Sequence, residues 1–242
     1  MEGKTLQFII DHEGEDVTRF ILSPAKYPGV EIPLAARCIE ARKKIKGKIP
    51  AFYAEPSLLY PDTLALEQCS SQASAEYKSR LIPEGATVAD LTGGLGVDSY
   101  FLSRRASKLT YYERKSHLAE AAQENFRTLG AMNIDCHTAE LTLEKIQSSD
   151  FPSYDIIFLD PARRDKMGGR VYSIADCEPN LTLWRTPLLA KANTILAKVS
   201  PMADISQILG EVPGIGEIHI LSVDHECKEL LLKITGTPVD EP

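Results

Sequence analysis

Asp90 and Glu113, two acids 23 positions apart, flank the turn Thr92-Gly93-Gly94-Leu95-Gly96. Further along, Asp160 and Pro161 close the apolar run Ile156-Ile157-Phe158-Leu159. Glycine has no Cβ and admits positive φ, so backbone amides at Gly93, Gly94 and Gly96 can approach a ligand that side chains would hold off. Spacing then separates the ligands that such turns take. A phosphate-binding loop needs a Lys directly after its glycines, and none follows here until Lys108. A dinucleotide turn reads Gly-x-Gly-x-x-Gly, and counting from Gly94 puts Ser99 where the third glycine belongs. What remains is an acid at a strand tip, a Gly-x-Gly turn and a second acid at the next strand tip, able to face a ribose held by the turn.

These residues need strands that end in register. Thr87 to Leu91 reads as a first strand and Val97 to Arg104 as the helix after it. Lys108 to Glu113 and Ile134 to His137 follow as strands, with a helix from Lys115 to Leu129 between them that stops at Gly130. Ile156 to Leu159 is continuously apolar, as a strand buried on both faces of a parallel sheet must be. Proline disfavours αR in the residue before it and cannot continue a sheet interior, so Asp160 stands at the strand's carboxyl end, the edge at which open α/β sheets bind ligands. Arg163, Arg164, Lys166 and Arg170 share the next loop with Gly168 and Gly169. Such cations steer a phosphate-bearing substrate or simply face solvent. A helix over Leu181 to Ala192, a strand over Thr194 to Val199, a helical turn at Ile205 to Leu209 and a hairpin of Glu217 to Val223 with Glu229 to Thr235 complete the chain.

Ahead of this core, residues 1 to about 50 carry three apolar stripes at helical spacing, punctuated by Pro24, Pro28 and Pro33. Arg37, Arg42, Lys43, Lys44, Lys46 and Lys48 stand against Glu40 alone, either as a solvated helix face or as a phosphate-facing patch. Prolines and aromatics over 50 to 65 suit a packed connector. Ser70 or Ser71 caps a helix whose apolar positions are Ala73, Tyr77 and Leu81, and Gln68, Ser70 and Ser71 lie where an anion such as a carboxylate can meet them. We therefore expect a helical unit with its connector over 1–65 and an α/β domain over 66–242.

Composition agrees with a globular chain: 43% hydrophobic, 25% charged, net charge −7. No apolar run approaches the ~20 residues of a membrane span, and the opening apolar stretch is too short for a signal peptide, so a cytoplasmic protein is expected. Five scattered cysteines without a Cys-x-x-Cys predict reduced thiols, and five scattered histidines predict no metal site.

Taken together, DLTGGLG, YYERKSHLAEAAQENFRTLG and DIIFLDPARR resemble motifs I, II and IV of class I S-adenosylmethionine (SAM)-dependent methyltransferases. The likeness covers about residues 66 to 235. It implies a Rossmann-like seven-stranded sheet of order 3-2-1-4-5-7-6, with the last strand antiparallel. It also implies that Asp90, Thr92, Gly93, Gly94, Gly96, Glu113, Arg114 and Glu140, with Gln68, Ser70 and Ser71 from the preceding segment, hold SAM, which leaves as S-adenosylhomocysteine. Thr92 departs from the family's usual first glycine. More narrowly, EQCSSQASAEYK, DLTGGLGVDSYFLS and DPARR resemble a bacterial group assigned as RNA methyltransferases, in which a THUMP-like region follows the sheet. That region is not in this sequence.

Motif IV implies that Asp160, Pro161 and Arg163 act on the acceptor, with Asp160 orienting a substrate nitrogen for a methyl that SAM supplies already activated. Ala162 and Arg163 replace the second proline and the aromatic of base-amine methyltransferases, which leaves the target atom open. Methylation of a base in rRNA or tRNA is the leading expectation. A small-molecule methyltransferase and a non-catalytic SAM- or RNA-binding protein are the alternatives, and a dinucleotide oxidoreductase ranks last.

Overall fold

The computed structural model describes residues 3–163, 174 and 177–236. Its main sheet has seven strands: β1 (Thr87–Asp90), β2 (Lys108–Glu113), β3 (Ile134–Thr138), β4 (Tyr154–Leu159), β5 (Ala192–Val199), β6 (Ile215–Val223) and β7 (Glu226–Thr235). Their spatial order is 3-2-1-4-5-7-6, with β1 to β5 parallel and β7 antiparallel to both β5 and β6. This is the expected order. β4 shows why its sequence reads as an unbroken apolar run. Ile157 and Leu159 enter the cluster on one face of the sheet with Ala89, Ile195 and Ala197, while Ile156 and Phe158 enter the other with Val88, Leu109 and Leu196.

Helices α1 (Gly3–Asp11), α2 (Thr18–Leu22), α3 (Ile32–Lys48), α4 (Pro50–Tyr53), α5 (Thr63–Gln68) and α6 (Gln72–Arg80) precede the sheet. The earlier ones share an apolar cluster with Leu95, Val97, Phe101 and Leu118, so they pack directly on α7 (Val97–Ser103) and α8 (Ser116–Thr128). The connector is ordered as expected: Leu58 and Tyr60 are buried, and the buried Asn125 of α8 bonds both the N–H and the C=O of Leu59, at 2.7 and 2.9 Å. Helices α9 (Leu143–Gln147), α10 (Leu181–Leu189) and α11 (Ile205–Glu211) complete the fold. Among the described residues no helix is long and apolar enough to cross a membrane.

Four expectations are corrected. α10 ends at Leu189, and Ala192 already belongs to β5. Ala162–Arg163 pairs antiparallel with Cys177–Glu178 in a short second sheet, where a simple loop was expected. In α6 the buried positions are Ser74, Ala75 and Lys78, whereas Ala73 and Tyr77 face outward. The cause is what α6 packs against: charged groups at the carboxyl edge of the sheet, described below. The β6–β7 turn is also tighter than read. Asp224 and His225, at φ 53° and 64°, make the two-residue hairpin connection, since turns that match strand twist need positive φ at both central positions.

Most of the α3 cations have partners within the protein, although Arg37, Lys43, Lys44 and Lys46 are exposed. Arg42 is buried against Glu13 and the Tyr53 carbonyl, Lys43 bonds Glu40, Lys44 bonds Glu67, and Lys48 donates to the Leu66 and Glu67 carbonyls. Arg42, Lys44 and Lys48 thereby tie α3 to α4 and α5.

Candidate functional site

The turn after β1 is fastened on both sides. Leu91 N–H donates to Phe158 of β4 and Gly93 N–H to Tyr112 of β2, at 3.0 and 2.9 Å. Thr92 Oγ1 accepts the Asp160 N–H at 2.7 Å, which joins the first turn to the tip of β4. A glycine in that position could not make the bond, and this gives a physical reason for the residue that departs from the usual pattern. Thr92→Val, which keeps the shape and deletes the acceptor, is expected to lower unfolding free energy by about 1–3 kcal/mol in urea titration. Thr92→Ser is expected to keep most of it.

The three glycines are required for two different reasons. A Cβ on Gly93 would lie 2.0 Å from the Tyr111 ring, and one on Gly96, at φ +78°, would lie 2.4 Å from Phe126. Both are packing requirements. Gly94, at φ +55°, is different: an added Cβ there meets only the Thr92 carbonyl oxygen, at 3.8 Å. Gly94 N–H donates to Glu113 Oε2 at 2.8 Å, and Tyr111 donates its hydroxyl to the Gly94 carbonyl at 2.6 Å. Bare backbone thus borders a cavity of about 1010 Å³ at the carboxyl edge of the sheet.

That cavity brings together Gln68, Asp90, Thr92, Gly93, Gly94, Gly96, Glu113, Arg114, Glu140, Asp160 and Pro161. Glu113 stands at the tip of β2, its oxygens taking the Gly94 and Lys115 N–H groups. Arg114 and Glu140 are exposed on the rim, 3.8 Å apart. Asp90 is 1% exposed and spends its oxygens on the turn, accepting Thr92 N–H at 3.0 Å and Ser99 Oγ–H at 2.5 Å. Burial pushes its carboxyl up to about 7, against the lowering effect of those two bonds. Ser70 and Ser71 do not line the cavity. Ser71 caps α6 through Ser74 N–H, and the buried Ser70 donates to Asp98 and accepts from Lys78. Gln68 is the last residue of α5 and does reach the wall. For Arg163 only the backbone is described, and Arg164, Lys166, Gly168, Gly169 and Arg170 lie outside the described residues.

From the cavity wall inward runs a chain of charges that the sequence reading missed. Lys198, near the end of β5, donates to Asp160 Oδ2 at 2.6 Å and lies 3.9 Å from Glu229 Oε2. Lys78, fully buried on α6, lies 2.9 Å from Glu229 and 2.7 Å from Asp98 at the start of α7. Ser74 completes the shell by donating to Glu229 at 2.5 Å. Burial raises Asp98, but the ammoniums of Lys78 and Lys198 outweigh it and hold the carboxyl below its ordinary range. Asp160 sits above its ordinary range, because enclosure outweighs Lys198. Burial lowers Lys198, and Asp160, Asp98 and Glu229 more than reverse that, so it stays an ammonium. One signal was available: Lys198 interrupts the otherwise apolar run Ile195-Leu196-Ala197-Lys198-Val199 near a strand tip.

No family model matches the chain, and no curated protein does. Among solved structures, a candidate methyltransferase from Porphyromonas gingivalis W83 aligns with 96% of the chain at 35% identity and a TM-score of 0.82. The chain spans 57% of that protein's length. A SAM-dependent O-methyltransferase from Thermotoga maritima is 13% identical, aligned over 74% of each chain with a TM-score of 0.53. A candidate SAM-dependent methyltransferase from Streptococcus mutans is 13% identical over 66% of this chain and 47% of its own, again with a TM-score of 0.53. At 13% identity the likeness of these last two is one of fold.

Proposed function

We propose, from the class I SAM-dependent methyltransferase fold that this chain has, that it transfers the methyl group of SAM to RNA, the acceptor pool being rRNA or tRNA in the cytoplasm. One observation carries the reading: the bare Gly94 backbone, the Glu113 carboxylate at the β2 tip and Asp160-Pro161 at the β4 tip all border one cavity. The wall suits the cofactor. Gly94 leaves room where a side chain would intrude, Glu113 keeps lone pairs for ribose hydroxyls beyond the two N–H groups it accepts, and Glu140 and Arg114 flank the outer rim. When bound, SAM supplies a methyl already activated by its sulfonium, so these residues need only bind and align. On the acceptor side, Pro161, Pro179, Trp184 and Met202 line the same cavity and offer apolar surface on which a nucleobase can stack.

The internal pairing of four α3 cations favours a second reading, a small-molecule acceptor, since it leaves fewer of them for a phosphate track. Calorimetry with SAM, S-adenosylhomocysteine and NAD tests the cofactor, and binding of NAD without SAM would overturn it. Methyl transfer from labelled SAM into total RNA, compared with a metabolite extract, tests the acceptor. Label confined to the extract would decide for the small molecule. A variant pair tests the cradle. Gly94→Asn, whose residue type tolerates left-handed backbone, is expected to lose at least about tenfold in SAM affinity with little loss of stability. Gly94→Val is expected to lose affinity and about 1–2 kcal/mol of stability as well. Undiminished affinity in both would make the turn merely structural.

A further inference from the structure

The carboxylate at the β4 tip is already engaged. Lys198 Nζ lies 2.6 Å from Asp160 Oδ2, and both side chains border the cavity. A neutral amine as methyl acceptor needs a free lone pair and no base ahead of attack. A fixed ammonium beside it competes for that lone pair and repels the positive charge that grows on nitrogen. A hydroxyl has opposite needs. It loses its proton as the new bond forms, so it gains from a carboxylate that takes the proton and from a cation that stabilises the growing negative charge on oxygen. Asp160 and Lys198 supply both at one point.

We propose that Asp160 and Lys198 act together on a hydroxyl and, resting on the RNA reading above, that the acceptor is a ribose 2′-hydroxyl rather than a base amino group. The acceptor oxygen gains a bond to the methyl carbon, the carbon–sulfur bond of the donor breaks with its electron pair left on sulfur, and the hydroxyl proton passes to the Asp160 carboxylate. Lys198 keeps its proton throughout. The groups around Asp160 come from every neighbouring element: Lys198 from β5, Asp90 from β1, Asp98 from α7, Lys78 from α6, and Glu229 of β7 behind Lys198. Enclosure lifts the Asp160 carboxyl above its ordinary range, and Lys78 and Lys198 work against that rise.

The test is alkaline hydrolysis of RNA methylated by the full chain with methyl-labelled SAM. A 2′-O-methyl group blocks cleavage at the next phosphodiester, so most label is expected in alkali-stable dinucleotides. Label in mononucleotides would overturn the hydroxyl assignment and leave the RNA reading standing. No label in RNA would overturn that reading and this inference with it. Lys198→Met is expected to lower kcat about 100-fold and to leave SAM affinity within about twofold, and Lys198→Arg to restore part of the rate; an unchanged rate in Lys198→Met refutes the role. Independently of activity, carboxylate 13C NMR reads Asp160 directly, with Asp160→Asn identifying its resonance. The midpoint is expected to rise by about one unit or more in Lys198→Met. A midpoint that stays put refutes the coupling.

Discussion

Asp90→Asn is expected to make the protein more stable at pH 8.5, by about 2–4 kcal/mol, while weakening the cofactor site. The carboxyl titrates near 3.8 when unperturbed and at about 7 in the fold, because it is buried. Between those values the unfolded chain has released the proton and the folded chain still holds it, so folded stability falls as pH rises. The loss is absent below about pH 4 and complete above about pH 7, and a shift of this size amounts to ~4 kcal/mol. An amide removes the cost and keeps the geometry, since it can accept the Thr92 N–H through its oxygen and donate to Ser99 through its nitrogen. Urea titrations at pH 4.5 and 8.5 check this: the variant should lead by its full margin at the higher pH and by only about 1 kcal/mol at the lower. Equal wild-type and variant stability at pH 8.5 would show that the buried charge is not costly. We further expect calorimetry to find weaker SAM binding in the variant, a trade of function for stability.

What could be read from sequence divides along physical lines. The β4 tip was legible because an apolar run closed by Asp160-Pro161 leaves the chain few options. The alternation of strands and helices gave the α/β class and the closing hairpin its antiparallel pair, having too few connecting residues for anything else, while the strand order came only from the family resemblance. Gly93 and Gly96 were assigned to a ligand and both line the cavity, but their lack of a Cβ is also required by Tyr111 and Phe126, two aromatics distant in sequence whose approach no local pattern reveals. α6 was turned the wrong way because apolar periodicity assumes an apolar partner, and this helix buries Ser74 and Lys78 against charges from α7 and β7. The same blindness hid the charge chain as a whole. Lys78, Asp98, Lys198 and Glu229 lie on four elements and meet only once the sheet has formed. Thr92 looked like a defect in a motif until its partner, a backbone N–H 68 residues away, was in view.

Lys78→Met is expected to be the most destabilising of these substitutions, at about 3–5 kcal/mol near neutral pH, because it leaves two buried carboxylates without their shared cation. Lys78 is 0% exposed and touches Asp98, Glu229 and Ser70. Methionine nearly fills the volume of the stem, so loss of packing contributes little. The pH dependence separates charge from packing. In the wild type the Asp98 carboxyl is held below its ordinary value, so its contribution is present above about pH 4 and lost as pH falls further. Without Lys78 the burial of Asp98 is opposed by Lys198 and Ser70 alone, so its carboxyl rises from the wild-type value and the stabilisation that the wild type has above about pH 4 shrinks. The gap between wild type and variant should therefore be wide at pH 7.5 and narrow at pH 4, as read by urea midpoints. Adding Glu229→Gln to the variant removes one stranded charge and should recover part of the loss at pH 7.5. A gap of equal size at both pH values, unmoved by that second change, would mean that the ion cluster is held by the fold without helping to hold it.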